Sequence, residues 1–195
     1  MEKSDIMSFD MDEICSEIAK IGEKTFRAKQ IYEWLHVKLV ADFDEMTNLS
    51  KDLREKLKAN YCINMPKIVE IYKSKIDGTR KYLFQMQDGS IIESVLMKYN
   101  HGNSVCISSQ VGCRMGCKFC ASTIDGLERN LLPSEMLGQI YTIQKDLGER
   151  ISNIVIMGSG EPFDNFDNFN KFVKLITSEN GLNISSRNIT VSTCG

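Results

Sequence analysis

The chain has 195 residues, of which 42% are hydrophobic and 26% charged, so its composition excludes an intrinsically disordered protein and allows one domain or two small ones. Its net charge of −2 gives no overall basic signal for nucleic acid, and no apolar run approaches the roughly 18 residues of a membrane span. The acidic, polar start is unlike a secretory signal peptide, so we expect a cytosolic protein without membrane contact.

The first part of the chain shows helical periodicity. Apolar spacings of three and four predict three helices, over residues 11–22, 26–40 and 50–61. Gly22 is a candidate end for the first helix, and Ser50 is a candidate N-cap for the third. On the second helix we expect Trp34 in the core and His36 as a partly exposed polar residue.

Between Lys67 and Tyr99 the period changes towards two, which is typical of strands. Asp-Gly turns at 77–78 and 88–89 therefore predict antiparallel hairpins. The first hairpin carries a basic patch made of Lys67, Lys73, Lys75, Arg80 and Lys81. The patch is a candidate contact for RNA phosphates, and a solvated hairpin face explains it about as well.

Strands and helices alternate in the remainder of the chain. We predict strands at 104–108, 153–157 and 188–192, and helices at 133–147 and 165–177. The inward side chains of the last helix should be Phe166, Phe169, Val173 and Ile176. This βαβαβ order predicts a parallel sheet with right-handed crossovers. Three such strands leave an open edge, so we expect the chain to be part of a longer protein.

The seven cysteines are the most informative part of the composition. Cys15 and Cys62 stand alone and read as small core residues. Cys113, Cys117 and Cys120 form a C-x3-C-x2-C loop just after the first strand of the alternating region. An odd cysteine count without a secretory signal favours metal or redox chemistry over a disulfide framework.

Three thiolates from one tight loop suit three corners of a [4Fe–4S] cluster and leave the fourth iron open for a small molecule. We therefore expect the three sulfurs to converge. Structural zinc is the alternative, but a closed zinc site needs a fourth ligand, and His101 has the wrong spacing for a finger or knuckle.

Three motifs together resemble the radical S-adenosylmethionine (SAM) superfamily: the cysteine loop, the GSGEP run at 158–162, and Ser192-Thr193. The resemblance implies an α/β fold, with the first three parallel strands of a partial radical-SAM (β/α) barrel preceded by a small helical and β-hairpin accessory domain. It also implies a [4Fe–4S] cluster held by the three cysteines, with SAM contacted by Gly160, Glu161 and Ser192.

A narrower resemblance is to the RlmN/Cfr group of RNA adenine methyltransferases. It is carried by VCISSQVGC at 105–113 and FRAKQI at 26–31. The GEP and QVG runs are closer to RlmN members, which methylate adenine C2 in 23S ribosomal RNA and certain tRNAs, than to Cfr members, which methylate C8. The implied domains are a helical RNA-recognition domain (1–65), a β-hairpin connecting region (66–103) and the N-terminal part of the barrel (104–195).

The group's mechanism implies roles for two further residues. In it, a 5′-deoxyadenosyl radical activates a methyl group carried by a cysteine. Glu93 matches the proton acceptor, and Cys106 matches the cysteine that resolves the RNA adduct by forming a disulfide with the methyl-carrying cysteine. That second cysteine belongs to a C-terminal region beyond this chain, so we expect an incomplete enzyme that does not transfer methyl groups.

The resemblance further implies an electron donor such as flavodoxin or ferredoxin, and we expect a monomer. Two alternatives stay open. One is a non-catalytic RNA-binding fragment with a structural metal site, and the other is a Cfr-like C8 methyltransferase.

Overall fold

The computed structural model describes residues 3–194, and three helices form its first part. They are α1 (Met11–Lys20), α2 (Phe26–His36) and α3 (Lys51–Asn60). A capping box starts α1, because Asp10 Oδ1 accepts from Glu13 N at 2.9 Å and Glu13 Oε2 accepts from Asp10 N at 2.8 Å. Ser50 caps α3 as predicted, accepting from the N–H of Leu53 at 3.2 Å. Ile21 and Gly22 follow the last turn of α1, and Gly22 adopts a φ of 77°.

The second helix differs from its prediction in length and in one side chain. It ends at His36, four residues early. The expectation of a partly exposed His36 is wrong, because the side chain is fully buried and its Nδ1 lies 2.8 Å from the hydroxyl of Tyr141. Burial lowers the pKa of this imidazole to about 3. Trp34 is partly buried and packs against the core.

Two short strands close the helical unit and one long sheet follows it. The parallel pair is β1 (Ser4–Asp5) and β2 (Tyr61–Cys62). The long sheet contains β3 (Lys67–Lys73), β4 (Arg80–Gln85), β5 (Ile91–Tyr99), β6 (Gly102–Ile107), β9 (Ile151–Ile156) and β10 (Ile189–Val191). A small antiparallel pair, β7 (Gln110–Gly112) and β8 (Leu127–Asn130), lies between β6 and β9 in the chain.

The order of the long sheet is β10-β9-β6-β5-β4-β3. Strands β3 to β6 are antiparallel neighbours, whereas β6, β9 and β10 are parallel. The three parallel strands confirm the predicted partial α/β fold. The predicted hairpins are not a separate layer, because β6 pairs with β5 on one side and with β9 on the other.

Two helices connect the parallel strands. The first, α4 (Pro133–Leu147), has the predicted bounds and ends at Gly148, which has a φ of 69°. The second, α5 (Phe166–Thr177), buries Phe169 and Ile176 as predicted and packs Val173 against the core, but the prediction for Phe166 is wrong. Phe166 is 54% exposed, while the buried side chains of α5 are Phe169, Phe172, Leu175 and Ile176.

The two faces of the sheet have different surroundings. On one face, Ser94 Oγ donates to Gln139 Oε1 of α4 at 2.8 Å, and the neighbouring apolar side chains are buried. Because side chains alternate along a strand, Glu93 and Val95 lie on the opposite face. Val95 pairs with Cys106, which places Cys106 on that same face. The side chains of Glu93, Val95 and Cys106 are partly or fully exposed.

No helix within residues 3–194 is long and apolar enough to cross a bilayer.

Candidate cluster and SAM site

The cysteine loop lies between β7 and β8, the small hairpin that the sequence did not predict. Cys113 follows β7 directly and is buried, and its N–H donates to Gly126 O at 2.9 Å, which closes the base of the loop. Cys120 N donates to Cys117 O at 3.0 Å. Gly116 has a φ of 69°, a conformation that a side chain disfavours, so the turn between the first two cysteines depends on this glycine.

All three loop cysteines line one cavity of about 270 Å³. The same cavity is lined by the other predicted SAM contacts, Gly160, Glu161 and Ser192. The cysteine loop comes after β6 and β7, Gly160 and Glu161 come after β9, and Ser192 comes after β10. The cavity therefore lies at the carboxyl ends of three parallel strands, where α/β sheets bind ligands.

The three sulfurs converge on this cavity but not on a single point. No three His, Cys, Asp or Glu side chains within residues 3–194 are placed to hold one metal ion. The expected convergence is therefore limited to a shared cavity. A cubane cluster engages each thiolate at a different iron, and its irons favour soft sulfur ligands. Three free thiols around one cavity fit the donor chemistry of such a cluster.

The glycines after β9 allow close packing against the chain that follows β6. A Cβ on Gly158 would lie 2.7 Å from Ile107 O, and one on Gly160 would lie 2.6 Å from Gln110 Cβ. Gly160 also has a φ of 103°. These two glycines therefore allow the loop after β9 to pack closely against the chain after β6.

Glu161 joins the loops that follow two neighbouring strands. Its Oε2 accepts from Cys194 N at 2.8 Å and its Oε1 accepts from Phe163 N at 3.0 Å. Its own N–H donates to Gln110 Oε1 at 2.8 Å. Burial raises the pKa of the Glu161 carboxyl, but hydrogen bonds led by the backbone N–H groups of Cys194 and Phe163 outweigh burial and leave this pKa below its usual value.

The segment after β10 brings a further cysteine, Cys194, to the cavity. Ser192 N donates to Ile156 O at 3.2 Å, which extends the pairing of β10 with β9. Cys194 then lines the cavity together with Ser192. A hydrogen bond with Glu161 raises the pKa of the Cys194 thiol. Its position two residues after Ser192 in the sequence is consistent with this placement.

Glu93 and Cys106 do not line the cavity. They lie on the open face of the sheet, on adjacent strands, where diagonal neighbours are about 7–8 Å apart. Cys106 pairs with Val155 of β9, and burial raises the pKa of its thiol. Glu93 is exposed, and its Oε1 accepts from Lys81 Nζ at 3.0 Å. The structure thus brings these two residues near each other, and the Cys106 thiol accepts a hydrogen bond from the backbone of Met157, which lines the cavity.

The basic patch of the first hairpin is partly neutralised within the chain. Arg80 forms an ion pair with Asp146 at 3.1 Å, and Lys81 pairs with Glu93. The Lys81 ammonium also lies 5.4 Å from the ring centre of Tyr72. The electrostatic attraction of this surface for phosphates is therefore weaker than its five basic residues alone would indicate.

Gln139 is a buried site residue that sequence reasoning missed. Besides Ser94, its Oε1 accepts from Ser108 N at 2.9 Å, and its Nε2 donates to Ser108 O at 3.0 Å. This amide fixes the backbone at the carboxyl end of β6, just before the cysteine loop. Gln139 is a polar residue on the inward face of the predicted helix 133–147, and that position could have identified it from the sequence.

None of the seven cysteines forms a disulfide within residues 3–194. Cys15 and Cys62 are partly rather than fully buried. Cys15 packs against the core as expected.

Two family models match the chain. The model for the ribosomal RNA large subunit methyltransferase N-terminal domain matches residues 4–63, and that for the radical SAM superfamily matches residues 107–195.

Curated relatives and a solved structure resemble the chain over nearly its whole length. It is 66% identical to a "probable dual-specificity RNA methyltransferase RlmN" of Lachnoclostridium phytofermentans, covering 100% of the chain and 54% of that protein. The protein of the same name from Lachnospira eligens is 62% identical, with 98% of the chain and 55% of the relative covered.

A crystal structure of a radical SAM methyltransferase from Sphaerobacter thermophilus superposes with a TM-score of 0.92 at 38% identity, covering 98% of the chain and 57% of that structure. The chain thus spans about half the length of the curated relatives it matches.

Proposed function

The chain belongs to the RlmN-type radical SAM methyltransferases, whose N-terminal portion it matches, and from this premise we propose that it forms the cluster-binding, SAM-binding and RNA-contacting part of an enzyme that methylates adenine C2. The proposed substrates are 23S ribosomal RNA and certain tRNAs. The observation that carries the proposal is the single cavity lined by the three thiols of the cysteine loop and by the segments that follow three parallel strands.

Cys113, Cys117 and Cys120 would hold a [4Fe–4S] cluster, since their loop presents three sulfurs to one cavity and no other described segment does so. When bound, the cluster would supply the electron that radical SAM chemistry requires, drawn from a donor of the flavodoxin or ferredoxin type. The same cavity is lined by Gly160, Glu161 and Ser192. These residues offer backbone polar groups and one carboxylate to the amino, carboxyl and ribose groups of SAM.

Glu93 and Cys106 would act on the RNA base from the open face of the sheet. The carboxylate of Glu93 is the proposed acceptor of the C2 proton, and a base extruded from the RNA would have to reach it. In this structure the carboxylate forms an ion pair with Lys81. The Cys106 thiol is the proposed resolving group, and its disulfide partner lies outside this chain. Burial disfavours its thiolate in this structure.

The helical unit at 4–63, together with the basic hairpin, is the proposed RNA-recognition surface. Ribosomal RNA, tRNA and a protein electron donor are all cytoplasmic, and we therefore propose a cytoplasmic location. The three proposed domains keep the bounds 1–65, 66–103 and 104–195.

Anaerobic reconstitution of the chain with iron and sulfide tests the proposal against the non-catalytic alternative. A radical SAM site should take up about four irons and four sulfides per chain. Its electron paramagnetic resonance (EPR) spectrum after reduction should change when SAM is added. Uptake of a single zinc or iron ion without a SAM-dependent change would favour a structural metal in an RNA-binding fragment.

A further inference from the structure

Arg114 connects the cysteine loop to the loop that follows β9. It lies between Cys113 and Cys117, and its guanidinium makes two parallel hydrogen bonds to one carboxylate: Nε to Asp164 Oδ2 at 2.8 Å and Nη2 to Asp164 Oδ1 at 2.7 Å. Within residues 3–194, these are the hydrogen bonds that tie residues 114–119 to a segment outside the cysteine loop.

Asp164 is itself held from the opposite side. Its Oδ2 accepts a third hydrogen bond from Gln110 Nε2 at 2.9 Å, and the same amide nitrogen donates to Asn130 Oδ1 at 2.8 Å. Gln110 is fully buried, and its Oε1 accepts from the N–H of Glu161. One buried amide therefore joins β7, β8 and the glycine-rich loop, and Asp164 extends that connection to Arg114.

We propose that Arg114 and Asp164 are positioning residues, which hold the cysteine loop over Gly160 and Glu161 in the arrangement that receives the cluster and SAM. The proposal rests on the proposed function, since it assigns the pair to that site. Neither residue supplies a cluster ligand, and neither lines the cavity. They act through the backbone to which they are attached.

The geometry indicates that this ion pair holds the cysteine loop in place more firmly than an ordinary surface ion pair would. Exposed pairs are worth little because water screens them and two long side chains must be ordered. Here only the Arg114 side chain is largely exposed, at 59%, while that of Asp164 is 17% exposed and already fixed by Gln110. Two parallel charge-assisted hydrogen bonds to a fixed carboxylate lose less entropy and constrain the direction of approach.

The test uses the whole chain with three substitutions. Arg114→Met removes the charge and both hydrogen-bond donors. Arg114→Lys keeps the charge but cannot make the two parallel hydrogen bonds. As the control, Lys98→Met removes an ion pair with Glu149 far from the site. Two measurements follow. In metal-free protein, the rate of iodoacetamide labelling of Cys117 and Cys120 is resolved by peptide mass spectrometry. In reconstituted protein, iron release to a chelator and the SAM-dependent EPR change are recorded.

We expect Arg114→Met to speed both labelling and iron release about fivefold and to reduce the EPR change, with only a small decrease in its urea midpoint. Arg114→Lys should recover part of the effect, and Lys98→Met should match the unmodified chain. Labelling and iron release in Arg114→Met that equal those of the unmodified chain would overturn the proposal. If the unmodified chain takes up no cluster, the proposed function fails, and the labelling rates of the metal-free protein still decide the role of the pair.

Discussion

The carboxylate of Glu161 accepts a hydrogen bond from the backbone N–H of Cys194 at 2.8 Å, and so the loop after β9 is joined directly to the segment after β10. Both segments line the cavity that the three loop cysteines share. A buried acidic side chain thus organises one wall of the cavity.

Glu161→Gln should weaken SAM binding without removing the cluster. The amide can keep one accepting oxygen but loses the negative charge and one of the two hydrogen bonds at the loop. We expect SAM to perturb the EPR spectrum of the reduced cluster only at about tenfold higher concentration. Glu149→Gln, at a surface ion pair with Lys98, is the control and should not change the titration. Loss of iron from Glu161→Gln would instead assign the residue to the cluster.

Each of the changes Cys113→Ala, Cys117→Ala and Cys120→Ala should abolish the visible absorption of the reconstituted cluster, because each would remove one of three iron ligands. Cys15→Ala and Cys62→Ala should retain it, since neither residue lines the cavity. Iron and sulfide analysis gives an independent measure. An equal loss in Cys62→Ala would contradict the assignment.

Gly160→Ala should lower the free energy of unfolding by about 2–4 kcal/mol. The new methyl group would meet Gln110 at 2.6 Å in a backbone conformation that alanine disfavours. The matched control is Gly22→Ala, which has a similar positive φ of 77° but no heavy atom within 4 Å of the added carbon. Urea unfolding should therefore show a smaller loss, of about 1 kcal/mol, in the control. Equal losses would show that packing against Gln110 is unimportant.

The stability contributed by Asp5 should decrease as the pH rises from about 4 to 6. Burial raises the pKa of this carboxyl to about 6, despite hydrogen bonds from the N–H groups of Met7 and Asn64. In this window the folded state holds a proton that the unfolded state has released, so folding weakens with increasing pH, by up to about 3 kcal/mol.

Asp5→Asn should remove that dependence, and urea unfolding at pH 4 and pH 7 measures the difference. Asp88→Asn is the control with the opposite sign. A hydrogen bond from Arg129 lowers the pKa of Asp88 to about 2, so its contribution is lost only below about pH 4. Between pH 4 and pH 7, the free energy of unfolding should therefore change with pH differently in the two variants. If the free energy of unfolding changes equally between pH 4 and pH 7 in the unmodified chain and in Asp5→Asn, this account is contradicted.

The periodicity of the chain predicted its elements well where the local rules agree with the tertiary structure. The bounds of α4 follow from Pro133 at its start and Gly148 at its end, and both residues act locally. The cysteine spacing likewise identified a loop whose side chains share a cavity. These features depend on near neighbours in the sequence, which is why they could be predicted.

Features that depend on distant contacts were not predictable in the same way. The burial of His36 requires Tyr141, 105 residues later in the chain, and Phe166 faces outward although its spacing matches an apolar stripe. The pair of Arg114 with Asp164 spans 50 residues and leaves no local pattern. The hairpin of β7 and β8 was missed because its strands are short and separated by the cysteine loop.

The pairing of β6 has a consequence for any attempt to take the protein apart. Five residue pairs join β6 to β5, and the proposed boundary between residues 103 and 104 falls inside β6. A protease cut or an expressed piece starting there would strip β6 of its antiparallel neighbour and expose a row of unpaired backbone groups. Exchanging residues 1–103 for those of a relative would therefore also replace β5, so the new segment has to supply a strand that pairs with β6 in the same register.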